Sequence, residues 1–301
     1  MTAPEGVDAP LFRIGPTSNG WLGAFAATDI SRGTLVLDDK PLFTLDAPLQ
    51  AYLFSRAQSG ASGGPTPAEG EDEDEEPPKT LEEFLDKTIR TMLGWKTEGQ
   101  RQEFWELANT RPELPPAYGI FTTNAVQTRD ETGGLFLHLS RFNSSCRPTL
   151  SRPSWDSSSG STKLYALRDI STGEELTWTY LNVTFEFEGR DARRSEMERV
   201  FEFVCACEAC RDFGEEVEGE EREQIEEKRR KSEKRLMQLR RLKERIDWTA
   251  DVGGKREGED VQARRTTLRR MADLSREEGL WETAERLERS ADPVDDKTTE
   301  P

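Results

Sequence analysis

Cys205, Cys207 and Cys210 fall within six residues, in the run Val204-Cys205-Ala206-Cys207-Glu208-Ala209-Cys210. Three thiols so spaced can reach one small ion. A tetrahedral zinc site needs four ligands, with sulfur at about 2.3 Å. Three come from this run and a fourth must come from elsewhere; the only other cysteine is Cys146. Free core thiols are an alternative reading, since cysteine is often buried. Clustering in a cysteine-poor, hydrophilic stretch argues against it. A redox pair at Cys207 and Cys210 is a weaker alternative, because the strand-to-helix setting of such pairs is missing. The opening residues MTAPEGVDAPLF carry neither a basic region nor a long apolar stretch. They predict no secretory signal, and reduced thiols favour metal over disulfides.

The elements that position these residues follow from local pattern. Residues 12–45 read as β-rich, with Phe25-Ala26 and Thr34–Leu37 as short apolar runs around the turn Asp29-Ile30-Ser31-Arg32-Gly33. From Lys79 to about Asn109 the pattern is helical. Leu81, Phe84, Leu85, Thr88 and Ile89 draw one stripe, and Thr80 with Glu83 fits a capping box. A second helix is predicted over Glu98–Asn109, stopped by Pro112, Pro115 and Pro116. Gly119-Ile120-Phe121 and Gly134–Leu137 read as strands. So does Leu176–Tyr180, where alternation puts Leu176, Trp178 and Tyr180 on one face. Beyond the cysteines the chain reads as charged helices, with stripes at Leu236, Leu239, Leu242 and Ile246, at Leu268, Met271 and Leu274, and at Leu280, Ala284 and Leu287. Asp251–Gly258 reads as a loop, and the last ten residues as frayed.

Two further features read as structural. The lone His138 is a surface or packing histidine. The basic run Arg229–Arg245 is interrupted by Glu233 and Glu244 and preceded by Glu220–Glu227, which fits a solvated amphipathic helix better than a nucleic-acid contact.

The 301 residues are 34% hydrophobic and 34% charged, with formal net charge −17 and mean hydropathy −0.80. So low an apolar share means a core small for the length, or chain outside it. Residues 57–78 are Ser/Gly/Pro-rich and then acidic, and are predicted to be a disordered loop. No apolar run is long enough for a membrane-spanning helix. Strong acidity argues against a general nucleic-acid binder and leaves room for a basic protein partner.

Several segments, in order over residues 12–211, resemble the SET-domain family of protein lysine methyltransferases. The similarity is to its fungal branch and the SET-and-MYND type, without a MYND finger. Gly20–Ala26 with Asp29–Gly33 resembles the opening strands, and Asp39-Lys40-Pro41-Leu42 the "ExPL" that follows. Gly119–Phe121 and Thr123-Asn124-Ala125 resemble the segment before the cofactor motif, which is itself matched by Ser140–Thr149. Asp169-Ile170 with Gly173–Tyr180 resembles "DIxxGEELxxxY", and Phe203 with Cys205, Cys207 and Cys210 the post-SET "FxCxCxxC". The chain departs from the pattern at Trp21, Asp39, Ser144 and Thr149.

The resemblance implies an α+β fold: small curved sheets with a pseudoknot, a helical insert and a C-terminal helical region. The implied blocks are 12–56 and 118–186 for the two parts of the SET domain, 57–78 for the acidic loop, 79–117 for the insert, 187–213 for the post-SET zinc segment and 214–290 for the charged helices. It implies S-adenosyl-L-methionine as cofactor, held by Leu22, Gly23, Ala24, Asn143, Ser144 and Tyr180. Tyr180 is the implied catalytic residue, lining the methyl-transfer pore. The implied Zn2+ ligands are Cys146, Cys205, Cys207 and Cys210. The reaction is methyl transfer to the ε-amine of a lysine in a protein substrate, histone or non-histone. No direct nucleic-acid or membrane partner is expected, and the protein is read as a monomer of the cytoplasm, the nucleus or both. The departures leave an alternative: a catalytically degenerate SET fold used for protein interaction.

Overall fold

A computed structural model describes residues 10–18, 20–58, 78–129, 132–212, 219–246 and 261–292. Most of the predicted acidic loop, the predicted loop Asp251–Gly258 and almost all of the C-terminal tail lie outside the described residues. The strands are β1 (Phe12–Pro16), β2 (Leu22–Ala26), β3 (Leu35–Asp39), β4 (Phe43–Asp46), β5 (Val126–Arg129), β6 (Thr132–Leu135), β7 (Ser154–Asp156), β8 (Ser161–Tyr165) and β9 (Glu175–Leu176). The α-helices are α1 (Ala47–Gln58), α2 (Leu81–Gly94), α3 (Glu98–Trp105), α4 (Pro116–Asn124), α5 (Arg190–Phe201), α6 (Gly219–Arg245), α7 (Val261–Glu277) and α8 (Trp281–Ala291). The fold is α+β, as expected. It divides into two compact units, each assembled from separated segments: residues 1–34, 143–152 and 165–301 in the first, and 35–142 and 153–164 in the second.

In the first unit, β1, β2 and β9 form an antiparallel sheet in the order β1-β2-β9. Gly20, at φ +85°, takes the left-handed backbone that the β1–β2 turn needs. Two similar turns then hold each other. Ile30 and Ile170 exchange both backbone hydrogen bonds, at 2.9 and 2.8 Å. Asp29 accepts from the backbone and hydroxyl of Thr172, both at 2.8 Å, and Asp169 accepts from the Arg32 amide at 2.9 Å. Each aspartate caps the other turn, which explains why both stretches read Asp-Ile-Ser-x-Gly.

The predicted strand Leu176–Tyr180 is corrected: β9 ends at Leu176. Beyond it the backbone turns to the segment 143–150. The Trp178 amide donates to the Asn143 carbonyl at 3.1 Å, and the Ser145 amide to the Trp178 carbonyl at 3.0 Å. The amides of Thr149 and Leu150 both donate to the Thr177 carbonyl. Ser144 and Trp178 form a parallel bridge. Two segments well separated in the chain are thus stitched side by side, as a threaded crossing requires. Burial there does not alternate, since Thr177 is buried next to Leu176.

Also in this unit, α6, α7 and α8 pack around Leu236, Leu239, Leu268, Met271, Leu274 and Leu287. These are largely the predicted stripes. Buried charge ties the helices to the segment after Cys146. The Glu278 carboxylate, 4% exposed, accepts from Arg147, Ser232 and Arg235. Arg152 pairs with Glu186, which also accepts from Arg286 at 2.8 Å.

The second unit holds two sheets, β3-β8-β7 and β4-β6-β5. Its helices bury Ile89, Leu93, Phe104, Ile120 and Phe121 against Phe43. The α2 cap forms as predicted on one side, with Thr80 accepting from the Glu83 amide at 3.2 Å; the Glu83 carboxylate turns instead to the Lys79 amide. One expectation is corrected. Gly119-Ile120-Phe121 lies in α4, not in a strand. Pro116 starts that helix with a preset φ, and Asp86 of α2 caps it by accepting from the amides of Ala117 and Tyr118, at 2.6 and 3.0 Å. A helix on which the sequence pattern made no prediction, α1, follows β4 directly, its start held by Asp46 accepting from the Leu49 amide at 2.9 Å.

Candidate functional site

All of the implied site residues belong to the first unit. The threaded crossing governs their geometry. Asn143 leads into it, and its amide Nδ2 donates to the Leu22 carbonyl at 3.1 Å and to Glu175 Oε1 at 2.9 Å. Gly23 lies against the same atoms. A Cβ there would come within 2.8 Å of Glu175 Oε1, 2.8 Å of Thr17 Cγ2 and 2.9 Å of Asn143 Nδ2, closer than packed atoms allow. Leu22 is exposed beside it, whereas Ala24 is fully buried, paired with Ile14 and Leu176. Leu22, Gly23, Asn143 and Glu175 thus form one small polar cradle. Glu175 escaped the sequence reading, because its motif position said nothing of its contact with Asn143.

Ser144, one of the departures from the family pattern, has a definite task. Its Oγ accepts from the Tyr180 amide at 3.1 Å. This hydrogen bond fixes the backbone of Tyr180 next to the crossing.

The Tyr180 ring sits in an aromatic box. Trp178 lies 4.6 Å away between centroids, Phe201 5.4 Å away, and Phe203 6.5 Å away edge-on. So Trp178 and Tyr180 do share a face, although the strand has ended. Phe201, at the end of α5, was missed, since nothing local links it to Tyr180. The indole Nε1 of Trp178 is buried without a hydrogen-bond partner among the described residues. Burial, with the Glu175 carboxylate adding to it, pushes the Tyr180 hydroxyl above the ordinary phenol range. It therefore stays neutral at physiological pH.

The four cysteines converge. Their sulfurs all lie within 4.8 Å of one another, with Cys146 Sγ 3.4 Å from Cys210 Sγ and 3.9 Å from Cys205 Sγ. A tetrahedron with bonds of about 2.3 Å spaces its sulfurs by about 3.8 Å, so the cluster fits one zinc ion. Cys146 comes from the crossing and the other three from the stretch after α5. Glu202 ends that helix in the left-handed region, at φ 60°, and sends the chain back across Phe203 toward Cys205. Cys146, Cys205 and Cys210 are buried and Cys207 half-buried.

His138 falls in the second unit, where Asp39 accepts from the amides of His138 and Leu139 at 3.2 and 3.0 Å. Asp39, at the family's "ExPL" position, thereby holds the start of the turn Leu139–Arg141. The His138 side chain itself is 62% exposed, with Nδ1 3.3 Å from Asp39 Oδ1, in keeping with a surface histidine.

A threaded crossing beside a small antiparallel sheet, with a cysteine cluster built partly from the crossing itself, defines a class of protein. The SET-domain profile matches residues 21–181, and the chain belongs to the SET-domain family. Histone-lysine N-methyltransferase set5 of Schizosaccharomyces pombe is 31% identical over 204 residues, which cover 67% of this chain and 51% of that protein. Histone-lysine N-methyltransferase SET5 of Meyerozyma guilliermondii is 36% identical over 83 residues, 27% of this chain and 17% of that protein. The chain thus spans about half the length of the first relative and less of the second. Among solved structures it is similar to the SET domain of LSMT bound to lysine and AdoHcy, at 12% identity and a TM-score of 0.36, over 96% of this chain and 87% of that one. No helix among the described residues is long and apolar enough to cross a membrane.

Proposed function

We propose that the protein is an S-adenosylmethionine-dependent methyltransferase acting on a lysine ε-amine of a protein substrate. The observation that carries this reading is Tyr180, boxed by Trp178, Phe201 and Phe203 and fastened by Ser144 to the segment that presents Asn143. The family and the names of its relatives support the same class.

Leu22, Gly23, Asn143 and Ser144 would hold the cofactor, with Ala24 and Tyr180 bordering them. Gly23 leaves the main chain open there, and the Asn143 amide can serve a carboxylate or a carbonyl. When bound, the cofactor supplies a methyl group on a positively charged sulfur. The protein's part is mainly placement, because an in-line displacement depends on holding nitrogen, carbon and sulfur in register. The aromatic box disfavours a charged ammonium by desolvation, so the amine enters in its neutral, nucleophilic form. The neutral Tyr180 hydroxyl serves as a hydrogen-bond partner there, not as a base. Cys146, Cys205, Cys207 and Cys210 would bind one structural zinc ion.

The acidic surface suits a basic substrate, histone or non-histone, and the reading involves neither a membrane nor direct nucleic-acid contact. A monomer working in the cytoplasm, the nucleus or both completes it. The organisation proposed is a SET domain in two parts around a helical insert, then a zinc segment and a charged helical region. Calorimetric titration of the zinc-loaded protein with S-adenosylhomocysteine tests the core of the proposal. Saturable binding of one equivalent is expected, and its absence would leave only the interaction-module alternative.

A further inference from the structure

Arg193 lies on α5, one turn before Met197, and is 2% exposed. A guanidinium is strongly disfavoured in such a place unless anions or acceptors receive it. One acceptor is at hand, the Glu188 carbonyl, which takes a hydrogen bond from the Arg193 terminal nitrogen. Nε, however, is buried with no hydrogen-bond partner among the described residues. No carboxylate pairs with this arginine among the described residues. What faces it is sulfur: Cys146 and Arg193 line the same cavity, and Met197, one turn on along the helix, is buried in one cluster with Cys146, Cys205 and Cys210. The same face of the helix makes a second contact, with Arg190 Nε donating to the Cys210 carbonyl at 2.9 Å.

The cysteine cluster has the opposite need. Zinc is bound by thiolates, and four of them around one divalent ion leave about two negative charges in excess. Three of these four cysteines are buried, so solvent cannot offset that charge. We propose that Arg193 is the counter-charge of the zinc centre, a positioning residue whose buried guanidinium balances the tetrathiolate and donates to its sulfurs. This rests on the zinc reading given above. A guanidinium is suited to the place, being planar, permanently charged and weakly hydrated. It ties α5, whose last turn supplies Phe201 to the aromatic box, to the metal.

The test uses the full chain in wild-type, Arg193→Met and Arg193→Lys forms. Methionine keeps much of the apolar volume without the charge, and lysine keeps a charge without the fork. Zinc affinity is read by competition with a chromophoric chelator, and thiolate reactivity by the iodoacetamide alkylation rate of zinc-loaded protein. Removing groups that support metal ligands typically costs 10–100-fold in affinity. Arg193→Met should lose about that much and alkylate faster, because uncompensated thiolates are better nucleophiles. Arg193→Lys should lie between it and wild type in both readouts. Unchanged zinc affinity in Arg193→Met, with melting temperature lowered equally with and without zinc, would overturn the proposal and leave Arg193 a packing residue. Equal loss in the two variants would overturn it as well, since charge would then not matter. If Arg193→Met does not fold, Arg193→Lys decides alone: wild-type affinity and alkylation rate would refute the role of the donor fork, and a measurable loss in both would support it. Wild-type protein that takes up no zinc would overturn the metal reading itself, a failure seen in the first titration.

Discussion

At the scale of single residues, Gly23 and Tyr180 make the sharpest demands. Gly23 has no room for a methyl group, because Asn143 Nδ2, Glu175 Oε1 and Thr17 Cγ2 already crowd that position. Overpacking of this kind costs typically 1–3 kcal/mol. In Gly23→Ala the relief comes from moving the flexible Asn143 and Glu175 side chains, which are the cradle itself. S-adenosylhomocysteine affinity should therefore fall by roughly tenfold or more, while melting temperature falls only slightly. Equal affinity in calorimetry would remove Gly23 from the cofactor site. Tyr180 makes a different demand. Its ring packs on three aromatic neighbours and its hydroxyl is held neutral by burial. Tyr180→Phe keeps the ring and removes the hydroxyl. Folding should survive, and methyl transfer should slow or shift in how many methyl groups are added, read by mass spectrometry of the product. An unchanged rate and product pattern would place Tyr180 outside the pore.

At the scale of elements, buried charge joins the C-terminal helices to the crossing. Burial alone would raise the Glu278 carboxyl's pKa, but Arg147, with Ser232 and Arg235, outweighs it and holds the group below the ordinary range. A carboxylate with a depressed folded pKa stabilises fully above its unfolded pKa of about 4.3, and that contribution is lost as pH falls through the folded value. The melting-temperature difference between wild type and Glu278→Gln should accordingly be largest near neutral pH and shrink below about pH 4. A pH-independent difference would assign Glu278 to packing alone. Such ties also mark where the sequence stopped being legible. The α2 and α6–α8 stripes were readable because their spacing is local. The cysteine cluster and the order Asn143, Cys146, Tyr180 were readable because residue type carries their chemistry. Helix α4 was not, because its start depends on Asp86, some thirty residues earlier. Strand β9 was overextended because Trp178 and Thr177 find their hydrogen bonds in residues 143–150 rather than in a sheet. Phe201, Glu175 and Arg193 could not be picked out, since each matters only through a partner distant in the chain.

At the scale of the whole molecule, the formal charge of −17 bears on how a substrate arrives. It does not come from the acidic run at residues 69–76 alone, because the remainder of the chain is acidic too. Much of the basic charge among the described residues is already matched: Arg147, Arg152, Arg235 and Arg286 are tied to Glu278, Glu186 and Glu282. The excess of carboxylates over basic groups, 17 charges in all, therefore sets the sign of the long-range field. Complementary charge of this kind acts mainly on encounter rate and is screened over about 8–10 Å at physiological salt. For a basic, lysine-bearing protein substrate, kcat/KM should fall several-fold between 50 and 300 mM salt, mostly through KM. A short neutral peptide carrying the same lysine should show little salt dependence, because the chemistry inside the aromatic box is shielded from it. Deleting residues 69–76 should flatten the slope for the basic protein and leave the neutral peptide unaffected. If both substrates fell equally with salt, the effect would lie in the site itself, and the acidic surface would have no part in substrate capture.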